Sequence, residues 1–282
     1  MTRARFGLPF GIEGALFAWR LDQAPWVERV EVSFDSADRL VSRLANGELD
    51  LALVPSSALF SIAAATRLVP GLAVATTGAA SVARLDHRVE LGVVQRVATL
   101  AAGHAADALV AILFRASNRA IELSRSSDVG AALVDNDAAI VTGDACVVTP
   151  APARVQSVDL ARAWSQLTGA PMVWWVCAAR PGVVDRRLYS TLHAARARAR
   201  RELNAVAARW AQQSGGAAAR FVDIVHTELS FRLGRREFEG LKFFFDAAVK
   251  HGLVERSPAL QFVPLVEANA CVRFARRMHL AT

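Results

Sequence analysis

Polar side chains that could hold an acidic molecule occur where apolar strands of the sequence end. The clearest case is LANGELDLALVPSSALF, residues 44–60, in which an apolar strand over 49–54 stops at Pro55 and precedes Ser56 and Ser57. Hydroxyls and free backbone N–H groups at the start of a helix are good donors to an anion. Similar strand ends lie at 76–81, 101–106, 143–144 and 168–171. The sequence therefore predicts a site for a small acidic molecule.

Signatures of nucleophilic, nucleotide and metal chemistry are missing from the sequence. It has no G-x-S-x-G elbow, P-loop or G-x-G-x-x-G fingerprint. Its six histidines form no HxH or HxxxH pair. The three cysteines lie far apart among apolar neighbours, which predicts reduced core residues: Cys146, Cys177 and Cys271. We expect neither a metal nor a cofactor.

The composition indicates a folded protein with a large core and a basic surface. The chain has 282 residues, 53% of them hydrophobic, a mean hydropathy of +0.27 and a formal net charge of +7. Arginine carries nearly all the positive charge, and no zinc-finger spacing, RNA-binding aromatic motif or long basic tail accompanies it, so nucleic acid is not an expected partner. A positive field would still attract a dicarboxylate.

The beginning of the chain resembles a signal peptide only superficially. Early arginines precede apolar residues, but Glu13 interrupts the apolar run and no convincing small-residue cleavage site follows. No stretch reaches the length of a transmembrane helix. We therefore expect a cytoplasmic protein without a membrane partner, and the sequence makes no prediction of its oligomeric state.

Strand and helix patterns alternate over the first two-thirds of the chain, which predicts an α/β fold. We expect strands at 5–8, 26–34, 49–54, 68–76, 121–123, 138–141 and 172–178, with two or three more between 82 and 100. Expected helices cover 37–45, 105–114, 129–134 and 157–167, and further helices cover 188–210, 221–232 and 236–251, while 11–19 is expected to be a helix or a loop entry. The chain then forms two α/β lobes joined by a two-strand hinge, followed by a helical C-terminal part. Lobe one is predicted as 1–85 plus 178–282 and lobe two as 86–177, with the ligand between them.

Several of these segments resemble one enzyme family in order and spacing. They are NGELDLALVPSSAL, GAASV (78–82), VTGDA (141–145), DLARAWSQLTGAPMVWWV (159–176) and FRLGRREFEGLKFFFDAAVKHGLV (231–254). Together the chain resembles the chorismate dehydratases of the futalosine route to menaquinone. The resemblance implies a bilobed, type II periplasmic-binding-protein-like fold without cofactor or metal. It also implies a lyase that dehydrates chorismate to 3-[(1-carboxyvinyl)oxy]benzoate.

Two motifs that face the ligand in this family are altered here. The first strand of the family leads into a Pro-Tyr-x-Asn motif, and the matching stretch places Ile12 at the Asn position, with Glu13 beside it. A loop rich in Ser and Thr is replaced by AAGHAA over 101–106, which contains His104. Either the alignment slips locally or the chain is a divergent paralogue. The alternative function is a non-catalytic binding or sensing protein for a small aromatic or cyclic carboxylate.

The resemblance and the strand ends together give a set of candidate site residues. Glu13 and His104 are the catalytic candidates, and the partner expected is a chorismate-like carboxylate. The predicted substrate-binding residues are Ile12, Ser56, Ser57, Ser81, His104, Ala105, Ala106, Gly143, Asp144 and Thr168.

Structural alternatives exist for most of these residues. Serine and threonine candidates could be helix caps, Asp144 could cap the helix after Gly143, and Glu13 could be a surface charge. A glutamate facing a dianionic ligand would have to be protonated, or the ligand would differ. His104 could be an exposed polar residue, or its near-neutral pKa could serve proton transfer.

Overall fold

A computed structural model of the chain describes residues 3–100, 104–126 and 128–264. The predictions for Ala101–Gly103 and Cys271 lie outside these residues. The described part contains two five-stranded sheets, each covered by helices. This is the predicted bilobed α/β architecture.

The first sheet is built from apolar strands that are covered on both faces. Its order is β2-β1-β3-β10-β4, in which β1, β2 and β3 run parallel and β10 is antiparallel to β3 and β4. Every residue of β3 and β10 is buried, as expected for continuous apolar runs in the middle of a sheet. The strands are β1 (Ala4–Pro9), β2 (Val30–Asp35), β3 (Leu51–Pro55), β4 (Arg67–Thr76) and β10 (Met172–Ala179).

The second sheet repeats this arrangement. Its order is β7-β6-β8-β5-β9, in which β6, β7 and β8 run parallel and β5 is antiparallel to β8 and β9. In both sheets the antiparallel strand is the one that enters from the other lobe. The strands are β5 (Ala83–His87), β6 (Arg96–Thr99), β7 (Glu122–Arg125), β8 (Ala138–Thr142) and β9 (Gln156–Asp159).

Sheet membership differs from the predicted lobe boundaries. All of β5 pairs in the second sheet and all of β10 in the first, whereas the boundaries predicted after residues 85 and 177 run through these strands. The two connections between the sheets are therefore 77–82 and 160–171. The second connection contains a helix, α7.

Helices cover both sheets and pack on two apolar clusters. The helices are α1 (Ile12–Ala18), α2 (Ala37–Ala45), α3 (Leu59–Ile62), α4 (Ala105–Ala116), α5 (Val129–Asp135), α6 (Ala145–Val148), α7 (Leu160–Thr168), α8 (Arg186–Arg201), α9 (Leu203–Ser214), α10 (Ala218–Thr227) and α11 (Arg235–Lys250). The larger apolar core contains residues of both sheets, and a smaller cluster lies under α5. Helix α4 packs on α11 and on β10, and so joins the lobes.

Four element predictions need correction. The strand expected over 26–34 begins only at Val30, because residues 26–29 form a turn in which Val30 N donates to Trp26 O. Residues 157–159 belong to the edge strand β9 and not to the helix that follows, because Asp159 is the N-cap of α7 and accepts from Arg162 N at 3.0 Å. The long C-terminal helix is divided at Glu202 into α8 and α9. Helix α10 ends at Thr227 instead of residue 232, and Ser230 then pairs with Ala75 of β4.

None of the helices in the described ranges is both long enough and apolar enough to cross a membrane. The expected cytoplasmic location stays a prediction.

Candidate functional site

A cavity of about 560 Å³ lies between the lobes. Its walls come from the carboxyl ends of β1, β2, β6, β7 and β8, which is where α/β folds usually hold their ligands. Its volume is within the range that suits a small organic molecule. The residues that line it are Pro9, Phe10, Gly11, Glu13, Asp35, Ser36, Ala37, Asp38, Thr99, Leu100, His104, Arg125, Ser126, Thr142, Gly143, Asp144, Ala145, Trp175 and Trp210.

Glu13 reaches this cavity from the first turn of α1. The turn before it is possible because Gly11 has a φ of 140°, a conformation that L-residues rarely adopt. A Cβ on Gly11 would lie 2.6 Å from Glu13 Oε2 and 3.7 Å from Asp144 Oδ1, so this glycine leaves the space that the two carboxyl groups occupy. Ile12 points instead into the apolar core and is 2% exposed. The side chain that faces the cavity from this turn is therefore Glu13, not residue 12.

Asp144 connects the two lobes. It follows β8 in lobe two, and its Oδ1 accepts from Ile12 N at 3.1 Å in lobe one. Its Oδ2 accepts from the indole Nε1 of Trp210 in α9. Asp144 is the N-cap of α6 by position, but its side chain makes no capping hydrogen bond there. The capping alternative is thus replaced by a contact across the cleft.

The carboxyl groups of Glu13 and Asp144 differ in how well their surroundings stabilise a negative charge. Burial, and then the nearby charge of Asp144, raise the pKa of Glu13 to about 8. Burial also raises the pKa of Asp144, but the N–H groups of Ile12 and Trp210 oppose this effect. Because donors stabilise the ionised form, Asp144 keeps the charge and Glu13 keeps the proton at neutral pH.

His104 is a buried, neutral histidine at the N-terminus of α4. Its Nδ1 accepts from Ala106 N at 3.2 Å, so we assign the ring proton to Nε2. The ring packs edge-on against Trp175, with centroids 5.0 Å apart. Burial lowers the pKa of His104 to about 4, so the imidazole is a hydrogen-bond donor and not a proton source at neutral pH. Ala105 and Ala106 are fully buried and position the start of the helix.

Charged groups from both lobes face each other across the cavity mouth. Asp38 has a lowered pKa, chiefly because the Ser36 hydroxyl donates to it at 2.6 Å, and the Arg125 guanidinium adds to the effect. Asp35 is paired with Arg39 and Arg43, at 3.2 Å each. Arg125 is exposed and is the one arginine among the described residues that line the cavity. It is the natural partner for an anionic group of a ligand.

Four predicted binding residues are engaged away from the cavity wall. Ser56 is fully buried and its hydroxyl donates to Val173 O at 2.6 Å, while the neighbouring Ser57 is half-buried. Ser81 accepts from Arg220 at 2.8 Å, and its N–H donates to Glu228. Thr168 donates to Trp164 O at 2.9 Å at the end of α7, which fits the helix-terminus alternative. In this conformation, a ligand in the cavity would meet Glu13, His104, Gly143 and Asp144 of the predicted set.

Sequence reasoning missed most of the wall, including four residues that matter for the chemistry: Arg125, Ser126, Trp175 and Trp210. Arg125 and Ser126 follow the short strand β7, whose exposed residues give little hydrophobic signal. Trp175 is part of an apolar strand that predicts only core packing, and Trp210 belongs to an amphipathic helix far along the chain. The strand-end rule could have found Arg125, because β7 runs parallel to β6 and ends at the same edge.

No group of three or more His, Cys, Asp or Glu side chains in the described ranges is arranged to hold a metal ion. Cys146 and Cys177 are free thiols, and burial is the main cause that raises the pKa of each.

Solved structures of several proteins have folds similar to this one. Protein AF1704 from Archaeoglobus fulgidus is 15% identical, with a TM-score of 0.73 over 90% of this chain and 99% of that chain. The periplasmic aliphatic sulphonate binding protein SsuA from Escherichia coli is 14% identical, with a TM-score of 0.62 over 96% and 97%. The Candida albicans CA3427 gene product, described as having the generic periplasmic binding protein fold, is 9% identical, with a TM-score of 0.59 over 95% and 99%. These likenesses establish the periplasmic-binding-protein-like fold.

The family is established by the sequence itself. No curated protein sequence matches the chain. The sequence profile of the menaquinone biosynthesis family, however, matches residues 13–250, which is most of the chain and includes every described strand except β1. The cavity residues from Glu13 to Trp210 all lie inside this match. The chain therefore belongs to the menaquinone biosynthesis family.

Proposed function

We propose that this protein dehydrates chorismate to 3-[(1-carboxyvinyl)oxy]benzoate in the cavity between its lobes. The observation that carries the proposal is Glu13, a buried carboxyl group that keeps its proton at neutral pH at the wall of a ligand-sized cavity. Membership of the menaquinone biosynthesis family supports the same reaction. We also propose that the reaction takes place in the cytoplasm.

The reaction needs a proton at the leaving hydroxyl more than it needs a strong base. The C–H bond at the ether-bearing carbon breaks, its electron pair completes the aromatic ring, and the neighbouring C–O bond breaks. Glu13 donates its proton to the departing hydroxyl, which leaves as water. The substrate's own side-chain carboxylate accepts the proton from carbon, and this proton is returned to Glu13. The sum is the loss of one water molecule, and aromatisation provides the driving force.

Binding of a dicarboxylate in this cavity requires hydrogen-bond donors for its carboxylate groups. Arg125 offers a guanidinium from lobe two, and His104 offers a neutral N–H beside Trp175. The aromatic rings of Phe10, Trp175 and Trp210 provide apolar surface for the ring of the substrate. A protonated Glu13 avoids the repulsion that a second carboxylate beside Asp144 would cause.

The proposal is tested with purified wild-type protein and the Glu13→Gln variant. Glutamine keeps the size and polarity of the side chain but cannot donate a proton as an acid. We expect the wild type to remove the diene absorbance of chorismate and to form the aromatic product, with turnover of the variant reduced by about 10²–10⁴-fold. Equal turnover by the wild type and the variant would show that Glu13 is not the acid. If the wild type leaves chorismate unchanged, the dehydratase proposal is contradicted.

A second candidate, binding without catalysis, is favoured by one observation. The carboxylate of Asp144 already bridges the lobes through Ile12 N and Trp210, so the cleft is held together by the protein itself. A sensing protein would show a rise of its melting temperature with chorismate and no product. Product formation by the wild type would rule this candidate out.

A further inference from the structure

Trp210 stands between the interlobe cavity and a second cavity. The second cavity, of about 470 Å³, lies against α1, β2 and α9, and it shares Phe10 and Trp210 with the first. The indole ring thus presents apolar surface to both sides while its N–H donates to Asp144.

The two carboxylate oxygens of Asp144 accept from different donors, one in α1 and one in α9. Oδ1 accepts from Ile12 N in α1 and Oδ2 accepts from Trp210 Nε1 in α9. The donor identified for Glu13, by contrast, is its own backbone N–H. The Ile12 donor is a backbone N–H, which a substitution of that residue does not remove. The Trp210 donor is a side-chain N–H, so a substitution can remove it and reduce the difference in hydrogen bonding between Asp144 and Glu13.

We propose that Trp210 is a positioning residue whose indole N–H holds Asp144 as the charged member of the Glu13–Asp144 pair, and thereby keeps the shared proton on Glu13. The catalytic consequence rests on the proposed function, because Glu13 acts there as the acid. The location of the proton does not rest on it. Without the indole N–H, the ionised form of Asp144 loses one of the two donors that the described residues give it, and Asp144 competes with Glu13 for the proton.

Other charged and titratable groups around the pair do not supply this asymmetry. His104 is neutral, and the Cys146 thiol has a pKa of about 12. Asp35 is paired with two arginines, and Asp38 faces Arg125 and Ser36. Among the described residues, His104, Asp35, Asp38 and Arg125 line the cavity with the pair, and the charges of Glu13, Arg84 and Asp86 all act on Cys146 of α6.

The experiment compares Trp210→Phe with a matched control, Trp19→Phe. Trp19 also lines the second cavity and also donates its indole N–H to a carboxylate, Glu202, at 2.8 Å. Carboxyl ¹³C NMR spectra, assigned with Asp144→Asn and Glu13→Gln, report the protonation of both groups against pH. A donor to a charged group contributes enough to shift a titration by about one pH unit or more.

In the wild type we expect Asp144 to be ionised and Glu13 protonated at pH 6. In Trp210→Phe the midpoint of Asp144 rises by about one pH unit and the Glu13 signal moves toward the ionised form. Trp19→Phe leaves both signals unchanged. The proposal would be overturned if Asp144 and Glu13 titrated in Trp210→Phe as they do in the wild type. Equal shifts in Trp210→Phe and Trp19→Phe would also overturn it.

A second substitution at position 210 tests the same contact in case Trp210→Phe does not fold. Benzothienylalanine at position 210 has nearly the shape of tryptophan but carries sulfur in place of the N–H donor. The same shift of Asp144 is expected there, and its absence would overturn the proposal. If chorismate is a substrate, the profile of activity against pH changes in both variants. Its plateau is lower than in the wild type, and the loss of activity at high pH occurs at a higher pH. If the wild type does not turn over chorismate, the proposed function fails while the NMR titration still decides the role of Trp210.

Discussion

At the scale of single residues, the site depends on two carboxyl groups with different surroundings. Glu13 is buried and, within the described ranges, accepts from its own backbone N–H, whereas Asp144 accepts from Ile12 and Trp210. The same chemical group is therefore an acid in one position and a hydrogen-bonded anion in the other. This division of roles is typical of catalytic carboxyl pairs.

The raised pKa of Glu13 predicts a specific dependence of stability on pH. The group titrates at about 4.5 when unfolded and at about 8 when folded. Between these values the unfolded chain releases a proton that the folded protein retains, so the free energy of unfolding falls as pH rises, by up to about 1.4 kcal/mol per pH unit. Below 4.5 and above 8 this contribution does not change with pH.

Urea unfolding of the wild type and of Glu13→Gln at pH 5, 6, 7 and 8 measures this contribution. The difference between the two proteins should change steadily over this range in favour of the variant. His104, whose folded pKa of about 4 is below its unfolded value, costs stability only as pH falls below 6.5 and affects both proteins alike. Parallel stability curves would show that Glu13 is ionised in the folded protein.

Part of this site could be predicted from the residues alone. Of the residues that the strand-end pattern and the family resemblance select, Gly143, Asp144, His104 and the turn at 11–13 contribute to the cavity wall, and their roles stay predictions. The pattern and the resemblance did not decide between positions 12 and 13, because neighbouring positions on a helix differ by about 100° and the turn depends on the φ of Gly11. The apolar side chain of Ile12 was the available signal that this residue belongs to the core.

At the scale of elements, the packing of α11 against Pro171, which directly precedes β10, depends on a glycine. Gly240 is buried in α11, and a Cβ there would lie 2.3 Å from Pro171 O. That carbonyl also accepts from the Trp164 indole at 3.2 Å, so it cannot move without breaking a buried hydrogen bond. Helix and strand therefore approach to a distance that only glycine permits.

Gly240→Ala should accordingly destabilise the protein by about 1–3 kcal/mol, although alanine favours a helix more than glycine does. The matched control is Gly92→Ala, because nothing lies within 4 Å of a Cβ at that position. The control should change the free energy of unfolding by less than about 0.5 kcal/mol. Thermal or urea unfolding measures both, and a neutral Gly240→Ala would contradict the described packing of α11.

The elements that sequence patterns predicted well are those with long apolar runs. Strands β3, β4 and β10 and helix α2 match their predicted ranges to within two residues. The strand β9 was missed because its four residues form an edge and lead directly into α7. Its pairing with β5 is a contact between distant residues, which a local pattern cannot reveal.

At the scale of the whole molecule, the two sheets have equivalent strand orders and meet at the cavity. The apolar strands and family segments were sufficient to predict two lobes. Their boundaries were misplaced because a buried strand has the same apolar pattern in whichever sheet it pairs, and β10 returns to the first sheet along its whole length.

Asp144 is expected to hold the lobes closed in the absence of ligand. Asp144→Ala removes the hydrogen bonds to Ile12 N and Trp210, and it should give a larger radius of gyration in small-angle X-ray scattering. Asp22→Ala is a control with the same change of charge, because Asp22 is exposed and lies within lobe one. Identical scattering from Asp144→Ala and the wild type would show that other contacts keep the cleft closed.

The central claim is that a protonated Glu13 allows this fold to dehydrate chorismate. A single-turnover experiment, with the wild-type protein in excess over chorismate and the products separated by chromatography, tests it most directly, because even slow chemistry is then detected. The claim predicts complete conversion to 3-[(1-carboxyvinyl)oxy]benzoate by the wild type and little or none by Glu13→Gln over the same time. Recovery of unchanged chorismate from the wild type would contradict it.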